Sequence, residues 1–340
     1  MPGLPALTGR GLRRGSRGSP WRMKIGFFLS CEEYSPAELL AQARRAEEAG
    51  FAGLWISDHY HPWTDSQGQS PFVWSMIGAV AQVTERIPVG TGVTCPTLRI
   101  HPAVIAQAAA TSQVLLDGRF TFGVGSGEAL NEQILGDRWP EADERLEMLE
   151  EAVEVIRRLW EGGQVSHRGT HYRVSNARLY TLPDAPPPIY VSGFGPKAID
   201  LAARIGDGYC TTSPDAEAID RFRRGGGGGK PVQAGSKVCF GDDRDACVKA
   251  VHRTWPNIGI PGELAQVLPQ PAHFEQAAEL VTEEMISETV PCGPDLDEHV
   301  AGLREFADAG VDELFVHQVG GNTEAFFRAY EREVLPRMGG

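Results

Sequence analysis

The feature that most constrains the fold is a repeated unit in which an amphipathic helix is followed by a glycine and a short apolar strand. Near the amino terminus, Ser35-Pro36-Ala37-Glu38 has the pattern of a capping box with proline at the first helical position. We expect this helix to run to Gly50 and the apolar segment 51–57 to follow as a buried strand. Segment 309–317 repeats this order near the other end of the chain, which indicates a series of βα units.

Short apolar segments recur between these two units. We predict eight strands, centred near residues 25, 54, 90, 122, 190, 209, 238 and 315. Apolar residues at helical spacing between 146 and 159 predict an amphipathic helix among them. Eight parallel strands with crossover helices predict an α/β protein with a (β/α)8 TIM barrel. The glycine run 225–229 and the proline-rich stretch 255–271 are interpreted as inserted loops.

Composition excludes several classes of protein. The chain has 340 residues, of which 41% are hydrophobic and 23% charged, and this is typical of a globular protein. The net charge of -13 leaves no basic footprint, so we expect no nucleic-acid partner. No apolar run is long enough to predict a membrane span. The six cysteines form no C-x-x-C pair, which favours reduced thiols in the cytoplasm.

The first 22 residues differ from the rest. They contain five arginines, no Asp or Glu, and no apolar periodicity. We interpret residues 1–22 as a disordered basic leader or as a misassigned start, with Met23 as the true first residue. Residues 23–340 are then a single barrel domain.

Polar and glycine residues follow the predicted strands. Active sites of such barrels lie at the carboxyl ends of the strands, so these segments are the candidate site. His59, after the second strand, has a side chain that can accept a proton from an alcohol, although a solvated loop histidine would look the same. Glu128 could protonate a bound ring, or it could simply complement a helix amino terminus, and Asn131 could contact the same ligand. A metal site from His59 and His61 lacks a third ligand, so we expect no metal.

Two glycine-rich segments are candidates for phosphate binding. The segment from Gly123 to Glu128 lacks the third glycine of a dinucleotide fingerprint and is weak evidence for one. Ser192-Gly193-Phe194-Gly195 precedes Pro196 and links a strand to a helix, which is an arrangement that binds anions. A plain tight turn is the alternative.

Four motifs together resemble a known family. In chain order they are S-D-H-x-x-P-W, V-T-C-P-T-x-R-x-H-P-A-V-I-A-Q, G-V-G-S-G-E-A-L-N-E and I-Y-V-S-G-F-G-P-K. They resemble the luciferase-like (LLM class) flavin and deazaflavin oxidoreductases, and most closely the coenzyme F420-dependent glucose-6-phosphate dehydrogenase branch. The resemblance extends from Met23 to Arg337. It implies a TIM barrel, a homodimer, and F420 as cofactor.

The resemblance also implies roles for individual residues. His59 corresponds to the general base, Trp63 to a tryptophan that lines the site, Glu128 to the acid that protonates the deazaflavin, and Glu32 to a further active-site acid. The positions that would hold the cofactor are Asp58, Cys95, Gly127, Asn131, Ser192, Gly193 and Gly195. Gly92-Val93 corresponds to a cis peptide bond behind the ring.

One departure bears on the substrate. Members of the glucose-6-phosphate branch bind the substrate phosphate with two lysines and an arginine. At the corresponding positions this chain has Asp215, Ala265, and Ser287 or Glu288. We therefore expect a non-phosphorylated alcohol or aldose-type substrate. Other cations, which could bind a phosphate instead, are Lys197, Lys230 and Lys237.

The sequence thus predicts an F420-dependent dehydrogenase that transfers a hydride from an alcohol or sugar hemiacetal to the deazaflavin. Two alternatives remain open at this point. One is an F420-dependent glucose-6-phosphate dehydrogenase, and the other is an FMN-dependent luciferase-like monooxygenase, which would need a reductase and oxygen. A non-catalytic flavin-binding protein is disfavoured because His59, Trp63 and Glu128 are all present.

Overall fold

The computed structural model describes residues 23–260 and 262–339, so the basic leader lies outside the described residues. Eight parallel strands close into a barrel in the order β1-β10-β9-β8-β7-β4-β3-β2. The strands of the barrel are β1 (Lys24–Leu29), β2 (Leu54–Ile56), β3 (Val89–Thr91), β4 (Phe120–Val124), β7 (Ile189–Ser192), β8 (Gly208–Thr211), β9 (Val232–Val238) and β10 (Glu313–Gln318). This confirms the predicted (β/α)8 architecture. The strand predicted near residue 238 is β9, which begins at Val232 and ends at Val238, so its centre lies earlier than predicted.

Helices surround the barrel and cover its mouth. The helices are α1 (Pro36–Ala49), α2 (Val73–Val83), α3 (Pro102–Leu115), α4 (Ala129–Glu132), α5 (Ala142–Trp160), α6 (Pro196–Ile205), α7 (Ala216–Phe222), α8 (Arg244–Thr254), α9 (Leu264–Val267), α10 (Pro271–Ala278), α11 (Glu283–Thr289), α12 (Leu296–Ala309), α13 (Thr323–Ala329) and α14 (Leu335–Met338). Between residues 23 and 339, leaving out residue 261, no helix has the length and apolar character needed to cross a membrane.

The capping signals of the first helix act as predicted. The Ser35 hydroxyl accepts from the Glu38 amide, and the Glu38 carboxylate accepts from the Ser35 amide. Gly50 ends the helix with φ = 85°, a conformation in which a glycine carries no steric penalty. These local interactions fix the direction in which the chain enters β2.

Two parts of the structure lie outside the predicted strand pattern. A two-stranded antiparallel sheet, β5 (Val165–Arg168) and β6 (Arg173–Ala177), follows α5. It has no apolar run, so periodicity could not reveal it. The proline-rich stretch 255–271 is an insertion that contains short helical segments. The glycine run 225–229 is not wholly a loop as predicted, because residues Arg223–Gly227 form a helical turn that continues α7.

The lower interior of the barrel is filled by aromatic rings. Trp55 and Phe315 stack with their ring centroids 4.7 Å apart, and Tyr190 packs in the same cluster with Cys210. The rings fit because the facing strands carry glycines. A Cβ atom at Gly92 would lie 2.7 Å from the Trp55 ring. The interior is therefore packed at this level, with the Gln233 amide accepting from Trp55 Nε1. The carboxyl ends of the strands lie above this layer and are here called the rim.

Candidate active site

Three strand-end loops bring their polar side chains together at the rim. His59 follows β2, Glu32 follows β1, and Asn131 lies on α4 after β4. His59 Nε2 is 3.4 Å from Glu32 Oε1, and His59 Nδ1 is 3.0 Å from Asn131 Nδ2. Only 10% of the His59 side chain is exposed. Residues predicted separately from the sequence thus lie around one imidazole.

Glu32 is a buried carboxylate with several stabilising contacts. Its Oε2 accepts hydrogen bonds from the hydroxyls of Ser30 at 2.8 Å and Ser57 at 2.7 Å. Burial alone would raise the pKa of Glu32, but nearby His59 and these hydroxyls outweigh it and lower the pKa. Glu32 therefore stays ionised at neutral pH and can stabilise a positive charge on His59.

The contacts of His59 Nδ1 allow both a neutral and a protonated ring. Asn131 Oδ1 accepts from the backbone amides of Tyr60 and His61, so its Nδ2 faces the imidazole as a donor. The His61 carbonyl, 3.1 Å from Nδ1, can accept a proton from the same nitrogen. The Asn131 donor suits a ring whose Nδ1 is unprotonated, and the His61 carbonyl suits a ring whose Nδ1 carries the proton; only in the second form does Nε2 keep a free electron pair and act as a base.

His61 has a different environment, although it is only two residues away. Its Nδ1 lies 2.9 Å from the carbonyl of Leu130, which ties the loop after β2 to α4. No cluster of three or more His, Cys, Asp or Glu side chains in the described part of the chain has the geometry of a metal site.

Aromatic side chains form one wall above His59. The Trp63 and His59 rings are 4.9 Å apart at 56°, and Phe274 of α10 packs edge-on against Trp63. Phe274 belongs to an apolar cluster under the insertion that follows β9. The inserted segment therefore fixes a side chain of the site.

Glu128 lies at the amino terminus of α4 and is partly exposed. Its carboxylate makes no capping hydrogen bond to the helix, and its Oε2 is 3.5 Å from Asn131 Nδ2. The carboxylate is thus not engaged in a capping role and faces the same group of residues as His59.

A buried ion cluster supports the loop that carries His59. Asp58 accepts from Arg99 Nη2 at 2.7 Å and from the Thr94 hydroxyl at 2.8 Å. Arg99 also lies against Glu132, whose Oε2 accepts from the Arg99 backbone amide at 2.9 Å. Burial raises the pKa of Glu132 to about 7, although Arg99 acts in the opposite direction. Arg99 and Glu132 both occur in the motifs quoted above, but the sequence does not reveal that they pair.

Glycines allow the backbone to form a cradle beside this cluster. Gly127 has φ = 79°, and a Cβ atom there would lie 2.6 Å from Cys95 Sγ. The Gly92-Val93 peptide bond is cis, as the resemblance implies. A Cβ atom at Gly125 would lie 2.9 Å from Val93. No larger side chain fits at these positions, so only glycine lets the two backbone segments pack this closely.

The segment Ser192–Gly195 joins β7 to α6 as predicted. Gly195 is the residue before the helix, and Pro196 occupies the first helical position. Gly193 packs against Ala198, where a Cβ atom would lie 2.8 Å from the backbone, and its carbonyl accepts from Tyr209. The first amides of α6 are directed toward the rim, which suits an anionic group.

A second buried carboxylate lies next to Glu32. Glu33 accepts from Trp255 Nε1 at 2.8 Å, from the Gly320 amide at 2.7 Å, and contacts His317 Nε2 at 3.0 Å. Burial raises the pKa of Glu33, but the contacts with His317 and Trp255 outweigh it and lower the pKa. No sequence signal identifies this group, because its members come from the segment after β1, the insertion and β10.

Comparison with known proteins identifies the family. Residues 23–313 match the family described as luciferase-like monooxygenase. An F420-dependent glucose-6-phosphate dehydrogenase of Microbacterium testaceum is 37% identical over 328 residues, covering 93% of this chain and 97% of that protein. The corresponding protein of Nakamurella multipartita is 36% identical over 332 residues, covering 94% and 98%.

A solved structure agrees with these relatives. An F420-dependent secondary alcohol dehydrogenase in complex with an F420-acetone adduct superposes with a TM-score of 0.87 at 31% identity, covering 93% of this chain and 99% of that one. The F420-dependent tetrahydromethanopterin reductase of Methanopyrus kandleri, at 22% identity and a TM-score of 0.75, shares the fold. The chain is an oxidoreductase that belongs to the luciferase-like family.

Proposed function

We propose that this protein is a coenzyme F420-dependent dehydrogenase that oxidises a non-phosphorylated alcohol or sugar hemiacetal. The observation that carries the proposal is the placement of His59 between Glu32 and Asn131, under Trp63 and beside the glycine cradle. The relatives named above are F420-dependent dehydrogenases, which supports the same cofactor here.

The residues of the rim fit a deazaflavin. Gly125 and Gly127 let the backbone lie close against Val93 and Cys95, and Asp58 and the cis Gly92-Val93 bond belong to the same end of the barrel. The Ser192–Gly195 turn and the α6 amino terminus would hold the phosphate-bearing tail. When bound there, F420 supplies the hydride acceptor.

His59 would act as the general base. With its Nδ1 proton donated to the His61 carbonyl, Nε2 accepts the substrate hydroxyl proton. The resulting imidazolium lies 3.4 Å from the Glu32 carboxylate, which stabilises its charge. Once the hydroxyl proton is on His59, the remaining negative charge on the substrate oxygen favours loss of the carbon-bound hydrogen as hydride, and a carbonyl forms.

Two further side chains would complete the site. Trp63 excludes water from one side, and its indole N–H is a donor for the substrate oxygen. Glu128 would supply the proton that the reduced deazaflavin requires, since its carboxylate makes no capping bond.

The positions that correspond to the phosphate-binding residues of the glucose-6-phosphate branch support a neutral substrate. Asp215 caps α7 by accepting from the amides of Glu217 and Ala218, so it has a structural role in place of a lysine. Lys197 is paired with Asp143, and Lys230 bonds the Ala203 carbonyl next to the start of β9, at the opposite end of the barrel. Lys230 is therefore not placed to bind a phosphate at the rim, whereas Lys197 lies at the amino terminus of α6 and is engaged by Asp143.

We also propose a homodimer in the cytoplasm. Exposed apolar side chains on the α2–α3 face support self-association; they are Phe72, Val104, Val114 and Leu115. All six cysteines lie in the described part of the chain and are unpaired, which fits a reducing compartment. Light scattering of the purified protein would test the dimer.

The test of function is spectroscopic. Purified protein is mixed with oxidised F420, and the deazaflavin absorbance is followed with alcohols, aldoses and sugar phosphates. Bleaching with neutral substrates is expected. Bleaching only with glucose-6-phosphate would overturn the substrate assignment, and binding of FMN without binding of F420 would overturn the dehydrogenase assignment in favour of a monooxygenase.

A further inference from the structure

A lysine that takes no part in the scheme above lies at the rim. Lys237 is on β9, and its register partner on β10 is His317. Residues two apart on a strand share a side, so Lys237 points to the same side as Gln233 and Gly235. Gln233 accepts from Trp55 Nε1, and a Cβ atom at Gly235 would contact the Trp55 ring. Lys237 therefore projects into the barrel interior, above the aromatic layer.

The ammonium of Lys237 has an aromatic neighbour but no close anion. Lys237 Nζ lies 4.3 Å from the centre of the Trp255 ring. Within residues 23–260 and 262–339, no carboxylate oxygen lies within 4.0 Å of it, and no group accepts its protons. An ammonium carries three donors, and those of Lys237 are left to solvent or to a bound molecule.

The nearest carboxylates are committed to other partners. Glu32 and Glu33 favour the charged form of Lys237, whereas burial lowers its pKa. Glu32 is held by Ser30, Ser57 and His59, and Glu33 by Trp255, His317 and the Gly320 amide. The donors of Lys237 are thus available to a ligand, while the two carboxylates leave the local charge negative.

We propose that Lys237 binds a second oxygen atom of the substrate, and thereby selects neutral substrates with more than one oxygen over simple alcohols. This inference rests on the proposed dehydrogenase function. Glu32 lies 3.4 Å from His59 Nε2 and is near enough to Lys237 to favour its charged form, so the imidazole and the ammonium share one carboxylate neighbour. A substrate whose first hydroxyl meets His59 can place a neighbouring hydroxyl or ring oxygen on Lys237. One ammonium beside two carboxylates does not favour a phosphate dianion.

The test compares two substrates that differ by one hydroxyl, 2-butanol and 2,3-butanediol. Lys237→Met keeps the length of the side chain and removes the charge, and Lys237→Arg keeps the charge. With F420 bound, Lys237→Met should lower kcat/KM for the diol at least tenfold, mainly through KM. The value for 2-butanol and the affinity for F420 should change less than twofold, and Lys237→Arg should recover part of the diol activity. Equal losses for both substrates, or no loss for either, would overturn the proposal.

A second measurement does not depend on turnover. The F420-loaded protein is treated with trinitrobenzenesulfonate, and modification of Lys237 is followed by mass spectrometry. Protection by 2,3-butanediol and none by 2-butanol is expected, and equal or absent protection would contradict the assignment. If the wild-type protein binds F420 but oxidises neither compound, the proposed function fails, while this protection still decides the role of Lys237.

Discussion

At the scale of single residues, two histidines of one loop have different roles because their contacts differ. Both rings are partly buried, and both use Nδ1 on a backbone carbonyl. Only His59 faces a carboxylate, with Glu32 3.4 Å from its Nε2, and only His59 contacts Trp63. The resemblance had already assigned the base to His59 and no role to His61, but the contacts that explain the difference come from other strands.

This difference gives a direct prediction. His59→Ala should reduce kcat by about 10²–10⁴-fold, the usual contribution of a general base, without weakening F420 binding. His61→Ala is the matched control on the same loop and should reduce kcat much less. Turnover is measured by deazaflavin absorbance and binding by fluorescence. Normal turnover by His59→Ala would show that another group accepts the proton.

The buried Glu132 predicts a pH dependence of stability. Its pKa rises from 4.5 to about 7 on folding, so the folded state holds the proton more tightly. The associated stability is complete below about pH 4.5 and is lost as the pH rises through 7. Relative to Glu132→Gln, the wild-type protein should therefore lose up to about 3 kcal/mol of unfolding free energy between pH 5 and 8.

Urea unfolding at the two pH values measures this difference. Glu47→Gln is the control: burial raises the pKa of Glu47, but the backbone amides of Arg86, Ile87 and Glu85 outweigh it and lower the pKa on folding. Its stabilisation is lost only as the pH falls below its unfolded pKa, so the difference between wild type and this variant should stay constant from pH 5 to 8. A wild-type protein that gains stability relative to Glu132→Gln over this range would contradict the assigned shift.

At the scale of elements, the strand ends were predictable and their cross-contacts were not. Apolar runs and the following glycines located the strands, because both signals are local. The pairing of Arg99 with Asp58 spans 41 residues, and that of Glu33 with His317 spans 284. Such contacts depend on barrel closure, which one sequence does not specify residue by residue. The hairpin β5–β6 was missed because it is short and polar.

At this scale we predict that the glycine turn before α4 is needed for cofactor binding. Gly127→Ala places a Cβ atom 2.6 Å from Cys95 Sγ at φ = 79°, so the cradle must shift. Gly136→Ala is the matched control, since Gly136 has φ = 87° and nothing within 4 Å of a Cβ atom. Both variants should lose about 1 kcal/mol of stability from the backbone conformation. Only Gly127→Ala should weaken F420 binding, by about tenfold or more, equivalent to 1.4 kcal/mol. Equal affinities in a fluorescence titration would place the cofactor elsewhere.

At the scale of the whole molecule, the barrel is closed by pairing between its first strand and its last strand. β1 pairs with β2 on one side and with β10 on the other. Outside this junction, Phe27 packs against Phe326 and Phe327 of α13, and Phe51 joins the same group. The barrel therefore closes only when segments nearly 300 residues apart have met.

Removing one of these rings should weaken the whole barrel. Phe327 is 1% exposed, and Phe327→Ala should lower the free energy of unfolding by about 3–5 kcal/mol. Tyr180→Ala removes an aromatic ring that is 85% exposed and should change it by less than about 0.5 kcal/mol. Denaturant unfolding measures both values. A small effect at Phe327 would mean that barrel closure does not depend on α13.

The stacked rings of Trp55 and Phe315 determine the side from which ligands can reach the site. Because they fill the barrel below the rim, nothing enters or leaves the site from beneath. Substrate, product, cofactor and the proton held by His59 must therefore all enter and leave through the rim. Under the proposed function, the cofactor and the alcohol share this opening, so we expect the alcohol to bind after F420 and the product to leave before it.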